Sequence, residues 1–133
     1  MRLFADTFYF IALLNRKDRA HAAASKVSRS TSKLVTTEWV LIELADAMSS
    51  IQKRGSYCSL YRLLRSDPAI TIIRVTSEFL DRGFDLFEDR PDKEWSLTDC
   101  TSFVIMQDLA ISDALTGDHH FEQAGFQALL KRP

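Results

Sequence analysis

Hydrophobic and polar residues alternate along the chain with two different spacings. Short apolar runs rich in β-branched or aromatic residues, such as "RLFA", "KLVTT" and "AITIIRV", are typical of buried strands. Longer stretches carry apolar residues three or four positions apart, which indicates amphipathic helices. The pattern predicts strands over 2–5, 33–37, 69–75, 113–118 and 126–130. It predicts helices over 7–30 with a turn at 15–18, then over 38–54, 56–65, 77–90, 99–110 and 119–125.

Residue types at the helix ends predict where three of these helices begin or stop. Gly55 is expected to end the helix over 38–54, because glycine commonly follows the last helical residue. Ser77 is predicted to cap the helix over 77–90, and Thr98 the helix that contains Asp99, since both hydroxyls accept hydrogen bonds from free backbone N–H groups.

The order of the predicted elements indicates the fold. Strands that alternate with helices form parallel sheets whose right-handed crossovers cover both faces. The sequence therefore predicts an α/β fold, a three-layer α/β/α domain with a central parallel sheet. Its 133 residues, 46% of them hydrophobic, suit one globular domain over 1–133.

Charge and cysteine content narrow the functional classes. Lys and Arg number 17 against 18 Asp and Glu, so the formal net charge is −1 and any polyanion must be bound locally. The apolar N-terminal run is interrupted by Asp6 and lacks a small-residue cleavage site, which predicts neither a signal peptide nor a membrane span. Cys58 and Cys100 are too far apart for a CxxC pair and suit free thiols in a reducing compartment. We therefore expect a soluble, cytoplasmic protein.

Four acidic residues are candidates for a site. Parallel sheets bind ligands at the carboxyl ends of their strands. Asp6 directly follows the first predicted strand, Asp99 lies at the start of a helix, and Asp118 ends the predicted strand 113–118. Glu43 lies among apolar residues of its helix, with no basic residue within one helical turn. Asp113 is an alternative for the fourth acid, but Asp118 is favoured because it lies at the end of the strand.

A cluster of carboxylates without basic partners requires cations from outside. Oxygen ligands favour Mg²⁺ or Mn²⁺, and the chain offers no set of Cys and His with zinc-binding spacing. Such an ion could activate water for attack on a phosphodiester. The alternatives are structural: Asp6 and Asp99 could cap helices, and Glu43 could extend its carboxylate into water.

Four segments together resemble a known family. "LFADTFYFIALLNRKDRAH", "TTEWVLIELADAM", "DKEWSLTDCTSF" and "ALTGDHHFEQAGF" resemble, in order and approximate spacing, the motif regions of PIN-domain ribonucleases, above all VapC-type toxins and their stand-alone bacterial relatives. The resemblance extends from Leu3 to Leu129.

The resemblance implies a PIN-like fold, a function and a set of site residues. The function is that of a metal-dependent endoribonuclease, the toxin of a type II toxin–antitoxin pair, which hydrolyses RNA by metal-activated water and leaves 5′-phosphate and 3′-hydroxyl ends. It further implies a homodimer and a small antitoxin partner that blocks the site. The catalytic residues and Mg²⁺ or Mn²⁺ ligands that it implies are Asp6, Glu43, Asp99 and Asp118.

Other polar residues receive lesser roles. His119 and His120 are expected to be a solvated surface pair, and His21 to lie on a helix surface or to pack. Thr7 and Thr116 are expected to hold carboxylates or bound water near the acids. Glu38 is expected in the first turn of its helix, where negative charge is favourable.

Two other functional classes are compatible with such a fold. A non-catalytic PIN-like module could bind RNA or protein through the same fold. A receiver or phosphatase domain also places aspartates at strand ends. However, Asp6-Thr7-Phe8 lacks the DxD pattern of haloacid-type phosphatases.

Overall fold

A parallel five-stranded sheet lies at the centre of the protein. The computed structural model describes residues 2–131. The strands are β1 (Arg2–Ala5), β2 (Lys33–Thr37), β3 (Ile70–Ile73), β4 (Asp113–Leu115) and β5 (Gln127–Ala128). They lie in the order β3-β2-β1-β4-β5, and every neighbouring pair is parallel. The predicted three-layer α/β/α fold with a central parallel sheet is confirmed.

Seven helices connect these strands within residues 2–131. They are α1 (Thr7–Leu14), α2 (His21–Ser28), α3 (Glu38–Ala47), α4 (Ile51–Ser66), α5 (Ser77–Asp89), α6 (Leu97–Asp108) and α7 (His119–Gln123). Because crossovers between parallel strands are right-handed, this strand order places α1–α4 on one face and α5–α7 on the other. The packing of α1 on α2, α3 on α4 and α5 on α6 agrees with that division.

The direction of the chain reverses beside β1. From β1 the chain runs outward through β2 and β3, then returns to the other side of β1 to form β4 and β5. The carboxyl ends of β1 and β4 are therefore neighbours whose following segments diverge onto opposite faces. Such a switch point opens a crevice at the edge of an α/β sheet.

The predicted helix over 38–54 is wrong only in being continuous, because the structure interrupts it at 48–50. α3 ends at Ala47 and a new helix begins at Ile51. The Ser49 hydroxyl donates to the backbone carbonyls of Ala45 and Asp46, which ends α3, and Ser50 then adopts an extended conformation. Gly55 lies inside α4 and ends no helix. An internal glycine costs only about 1 kcal/mol, and the helix continues because residues further along it pack into the core.

Two predicted caps are one to two residues too late. Thr76, not Ser77, caps α5 by accepting from the N–H of Phe79. Ser96, not Thr98, caps α6. In each case the capping residue is the last one with an extended backbone, which the sequence pattern alone does not reveal. Strands β3, β4 and β5 are also shorter than predicted.

The core is densest around α6. Residues 100–106 of this helix are all buried, so α6 is covered on every side. Gly83 of α5 permits this packing, because a Cβ atom there would lie 2.6 Å from Cγ2 of Thr101. Phe103 contacts the rings of Trp95 and Phe121 edge-on. These aromatic contacts fix the segments on either side of the crevice.

Within residues 2–131, no helix combines the length and the apolar character needed to cross a membrane.

Candidate functional site

An acidic cleft of about 350 Å³ lies where β1 and β4 end. Its wall carries five carboxylates, from Asp6, Glu43, Glu94, Asp99 and Asp118. Thr7, Phe8, Ser96 and His120 complete the lining. The structure thus brings together all four acids predicted from the sequence. Asp113 lies at the amino end of β4, outside this cleft, so the fold favours Asp118 as the fourth acid.

Asp6 occupies the turn between β1 and α1. Although it is the residue before the helix, its side chain makes no capping hydrogen bond within the described part of the chain. Its Oδ2 instead accepts a hydrogen bond of 2.9 Å from Thr116 Oγ1, and the residue is only 6% exposed. The pKa of Asp6 is raised to about 7, chiefly by burial and also by the charge of Asp99, while the Thr116 hydrogen bond acts to lower it. Helix capping therefore does not explain this residue.

Asp99 takes part in helix capping and also lines the cleft. It forms a capping box with Ser96: the Asp99 N–H donates to Ser96 Oγ, and the Ser96 N–H donates to Asp99 Oδ2. The same carboxylate is buried and faces the cleft. Burial raises its pKa, against the lowering effect of the Ser96 N–H. The capping contacts thus hold Asp99 in the orientation that places it in the cleft.

Glu43 reaches the cleft from the middle of α3. Its Oε1 accepts a hydrogen bond from the Thr7 hydroxyl. Across residues 2–131, no Lys, Arg or His forms an ion pair with Glu43. The predicted role of Thr7 and Thr116 in holding carboxylates is confirmed by their bonds to Glu43 and Asp6.

Asp118 lies between β4 and α7. Its Oδ1 accepts a hydrogen bond of 2.9 Å from the backbone N–H of His120, so it caps this short helix. Its own N–H donates to Thr116 Oγ1, the hydroxyl that also binds Asp6. One threonine therefore fixes the relative positions of two acids on separate elements.

The prediction for His120 is wrong. Its side chain is only 19% exposed, and Nδ1 lies 3.1 Å from Asp99 Oδ2 and 3.4 Å from Asp118 Oδ1. The imidazole therefore stands between two of the predicted acids. His119 is exposed as predicted, with 71% of its side chain accessible, although its Nδ1 lies 3.5 Å from Asp118 Oδ1.

Glu94 was also missed by sequence reasoning. A signal for both residues lies in their neighbours: Trp95 and Phe121 are buried, and a buried anchor restricts the direction of the adjacent side chains. Glu94 and Ser96 flank Trp95 in an extended loop and both line the cleft.

The remaining candidates lie elsewhere. His21 bonds through Nδ1 to the carbonyl of Ala12 and through Nε2 to the hydroxyl of Ser25, which is a packing role that connects α1 and α2. Glu38 lies in the first turn of α3, as predicted, and bonds to Arg65. The Arg65 guanidinium holds the pKa of Glu38 below its usual range.

The chemistry of the donors fits a hard divalent cation. No Lys or Arg belongs to the lining found among residues 2–131, so five carboxylates face one histidine. Burial raises the pKa of Asp6, and among residues 2–131 no Lys, Arg or His forms an ion pair with it. Carboxylate oxygens are the preferred ligands of Mg²⁺ and Mn²⁺, and a cleft of this size also holds the waters that Mg²⁺ keeps.

Comparison with known proteins agrees with this fold. The PIN domain family model matches residues 3–127. Two curated relatives, each named 23S rRNA-specific endonuclease VapC20, come from Mycobacterium tuberculosis strains CDC 1551 / Oshkosh and ATCC 25618 / H37Rv. Each is 25% identical over 126 residues, which is 93% of this chain and 95% of the relative.

A crystal structure shows the same fold. It is that of Mycobacterium tuberculosis VapC20, described as a sarcin–ricin loop cleaving toxin. It matches with a TM-score of 0.86 and 24% sequence identity, over 98% of this chain and 99% of that chain. The family match covers almost all of the sequence and confirms the resemblance of its motifs. The chain belongs to the PIN domain family.

Proposed function

We propose that this protein is a metal-dependent endoribonuclease that hydrolyses RNA phosphodiester bonds in the acidic cleft. One observation carries the proposal: Asp6, Glu43, Asp99 and Asp118 converge on one cleft whose described lining contains no Lys or Arg. The PIN domain match and the endonuclease names of the relatives support the same reaction class. Asp6, Glu43, Asp99 and Asp118 would be the ligands of Mg²⁺ or Mn²⁺.

The chain's own contribution is to hold these acids in place. A Mg²⁺ or Mn²⁺ ion held by these acids would lower the pKa of a water and would offset negative charge on the leaving oxygen. Thr116 orients Asp6, Thr7 orients Glu43, and Ser96 orients Asp99. Because each acid is already hydrogen-bonded in the folded protein, little reorganisation is needed when the site fills. Preorganised charge of this kind supplies much of the rate enhancement in enzymes.

The biological setting forms part of the same proposal. The relatives' names make 23S rRNA the first RNA to test. VapC20 is described as a toxin, and we propose that this chain is likewise the toxin of a type II pair, with a small antitoxin partner. A homodimer and a cytoplasmic location complete the proposal.

Cleavage of ribosomal and total RNA tests the function. The purified protein is incubated with Mg²⁺, with Mn²⁺ and with EDTA, and Asp6→Asn is compared with Asp113→Asn. Both variants remove one acid, but Asp113 lies at the opposite end of β4 and outside the cleft. We expect fragments with 5′-phosphate and 3′-hydroxyl ends from the wild type and from Asp113→Asn, and none with EDTA or from Asp6→Asn.

The alternative, a non-catalytic binding module, predicts a different result. Such a module would retain RNA without producing fragments in any metal. Equal cleavage by Asp6→Asn and Asp113→Asn would show that a different part of the protein, or a contaminant, cuts the RNA.

A further inference from the structure

We propose that Asp118, His119 and His120 form a second metal site, which binds a transition-metal ion of the Zn²⁺ class at the rim of the acidic cleft. Within residues 2–131, potential ligand atoms of these three residues lie within 4.8 Å of one another. The site differs from the carboxylate site in its donors, because it adds two imidazole nitrogens to one carboxylate oxygen.

The distances suit tetrahedral coordination. His119 Nδ1 lies 3.5 Å and His120 Nδ1 3.4 Å from Asp118 Oδ1. Bonds of 2.0–2.2 Å to a tetrahedral ion separate neighbouring ligand atoms by about 3.3–3.5 Å. Both contacts exceed the usual 2.7–3.2 Å of an N–H···O hydrogen bond. The two imidazole rings are neighbours, with centroids 4.5 Å apart and planes inclined by 53°. The two separations from Asp118 Oδ1 thus match those of ligands of one ion, and potential ligand atoms of all three residues lie within 4.8 Å of one another.

The donors also set the selectivity. Imidazole nitrogen favours Zn²⁺, Ni²⁺ and Co²⁺, whereas Mg²⁺ favours oxygen and gives up its waters reluctantly. Two nitrogens and one carboxylate oxygen leave a fourth position for water, as in other three-ligand zinc sites. We therefore expect this site to bind Zn²⁺ or Co²⁺ in the presence of a large excess of Mg²⁺.

Two of the three ligands are held in position by the fold. Asp118 Oδ1 accepts the His120 N–H, and the Asp118 N–H donates to Thr116. The His120 ring is mostly buried, and the following residue, Phe121, is fixed in the core. The His119 side chain is exposed, so it can rotate about its χ angles to bind an ion that arrives from solvent. Most of the conformational entropy of the ligand side chains is therefore already lost on folding, before the ion binds.

Occupation of this site would affect the acidic cleft. His120 Nδ1 lies 3.1 Å from Asp99 Oδ2. To bind the ion, this nitrogen must give up its contact with Asp99, and the proton of the neutral ring must then lie on Nε2. Asp118 would also be withdrawn from the Mg²⁺ or Mn²⁺ ligands. A Zn²⁺-class ion is therefore expected to inhibit cleavage. This consequence rests on the proposed function, whereas the existence of the site does not.

Cobalt provides a direct test of binding. The full-length protein, kept in excess Mg²⁺, is titrated with Co²⁺ while visible absorption is recorded, because four-coordinate Co²⁺ absorbs far more strongly than the hydrated ion. We expect one Co²⁺ per chain with four-coordinate bands, displaced by one equivalent of Zn²⁺. Loss of an outer partner already weakens metal sites by about 10–100-fold, so His119→Gln, which removes a ligand, should weaken Co²⁺ binding at least tenfold.

Matched variants locate the ion. His119→Gln alters an exposed side chain and is expected to fold, as circular dichroism can verify. Asp113→Asn serves as the control that removes an acid outside the site and should bind Co²⁺ like the wild type. Equal Co²⁺ affinity in the wild type and His119→Gln would overturn the proposal. So would loss of the bands in Asp6→Asn with retention in His119→Gln, because the ion would then lie among the cleft carboxylates.

Cleavage assays test the coupling separately. In excess Mg²⁺, Zn²⁺ should inhibit the wild type at a concentration at least tenfold below that needed for His119→Gln. If the bands appear but Zn²⁺ leaves cleavage unaffected, the site stands and its coupling to the cleft is refuted. If the protein cleaves no RNA, the cobalt titration still decides whether the site exists, so the two proposals fail independently.

Discussion

Replacement of Asp6 by Asn should stabilise the metal-free protein at neutral pH. Asp6 is 6% exposed, and burial raises its pKa from 3.8 to about 7 in the folded protein. At a pH between these two pKa values, Asp6 is deprotonated in the unfolded chain but still protonated in the folded protein. The wild type therefore loses stability as pH rises from about 4 to about 7, and the loss is complete above that range.

The magnitude follows from the difference between the two pKa values. At 1.36 kcal/mol per pKa unit, the rise from 3.8 to about 7 corresponds to about 4 kcal/mol of lost folding free energy. Asn has no charge to bury, and its side-chain oxygen can still accept the Thr116 hydroxyl. Asp6→Asn should thus match the wild type near pH 4 and exceed its stability by up to about 4 kcal/mol at pH 8.

Urea denaturation in EDTA, repeated between pH 4 and pH 8, measures this difference. Asp113→Asn is the control, since Asp113 lies outside the cleft, and it should follow the pH profile of the wild type. Added Mn²⁺ should then stabilise the wild type more than Asp6→Asn, which lacks one of the proposed ligands. Parallel stability curves for the wild type and Asp6→Asn across this pH range would refute the reasoning, because Asp6 would then carry its charge at no cost.

Three further substitutions test helix packing and the hydrogen bond between Thr116 and Asp6. Gly55→Ala should stabilise the protein by about 0.5–1 kcal/mol in thermal denaturation, because Gly55 lies inside α4 and no described atom is within 4 Å of the added Cβ; a lower melting temperature would contradict this. Gly83→Ala should cost about 1–3 kcal/mol, since its Cβ would overlap Cγ2 of Thr101 at 2.6 Å, and urea denaturation compared with Gly55→Ala measures the contrast. Thr116→Val should raise the pKa of Asp6 further, because it removes a hydrogen bond that lowers this pKa. It should also weaken Mn²⁺ binding about 10–100-fold, as measured by calorimetry. Unchanged Mn²⁺ affinity would show that the hydroxyl does not hold the carboxylate in its binding position.

Much of the site could be predicted because its acids lie at positions that follow from the order of the elements. Asp6 follows a strand, and the parallel arrangement then fixes which edge of the sheet it reaches. Asp118 could be preferred to Asp113 by the same rule, since Asp113 begins β4 whereas Asp118 follows its carboxyl end. Glu43 could be selected because its surroundings offered no basic partner, and the structure contains none among the described ion pairs.

The residues that were missed depend on tertiary contacts. The direction of His120 is set by Phe121, which is fixed by Phe103 of α6. The direction of the Glu94 side chain is set by Trp95, whose indole N–H donates to the side-chain oxygen of Gln123 in α7. Both anchors involve contacts between segments more than 15 residues apart, so no local spacing reveals them. The break between α3 and α4 was missed for the opposite reason: a serine hydroxyl competes locally for backbone carbonyls, while the apolar spacing continues through it.

The placement of the acids also explains how a fold can hold so many like charges together. Asp6 and Asp118 directly precede α1 and α7, and Asp99 lies in the first turn of α6, where free N–H groups favour negative charge. Glu43 is the exception, in the middle of α3, and it depends on the Thr7 hydroxyl. The hydroxyls of Thr116 and Thr7 and the backbone N–H groups of Ser96 and His120 orient the carboxylates, but none of these donors carries a positive charge. The fold therefore holds the acids in place and leaves their charge available to a cation, which is the arrangement that the proposed hydrolysis requires.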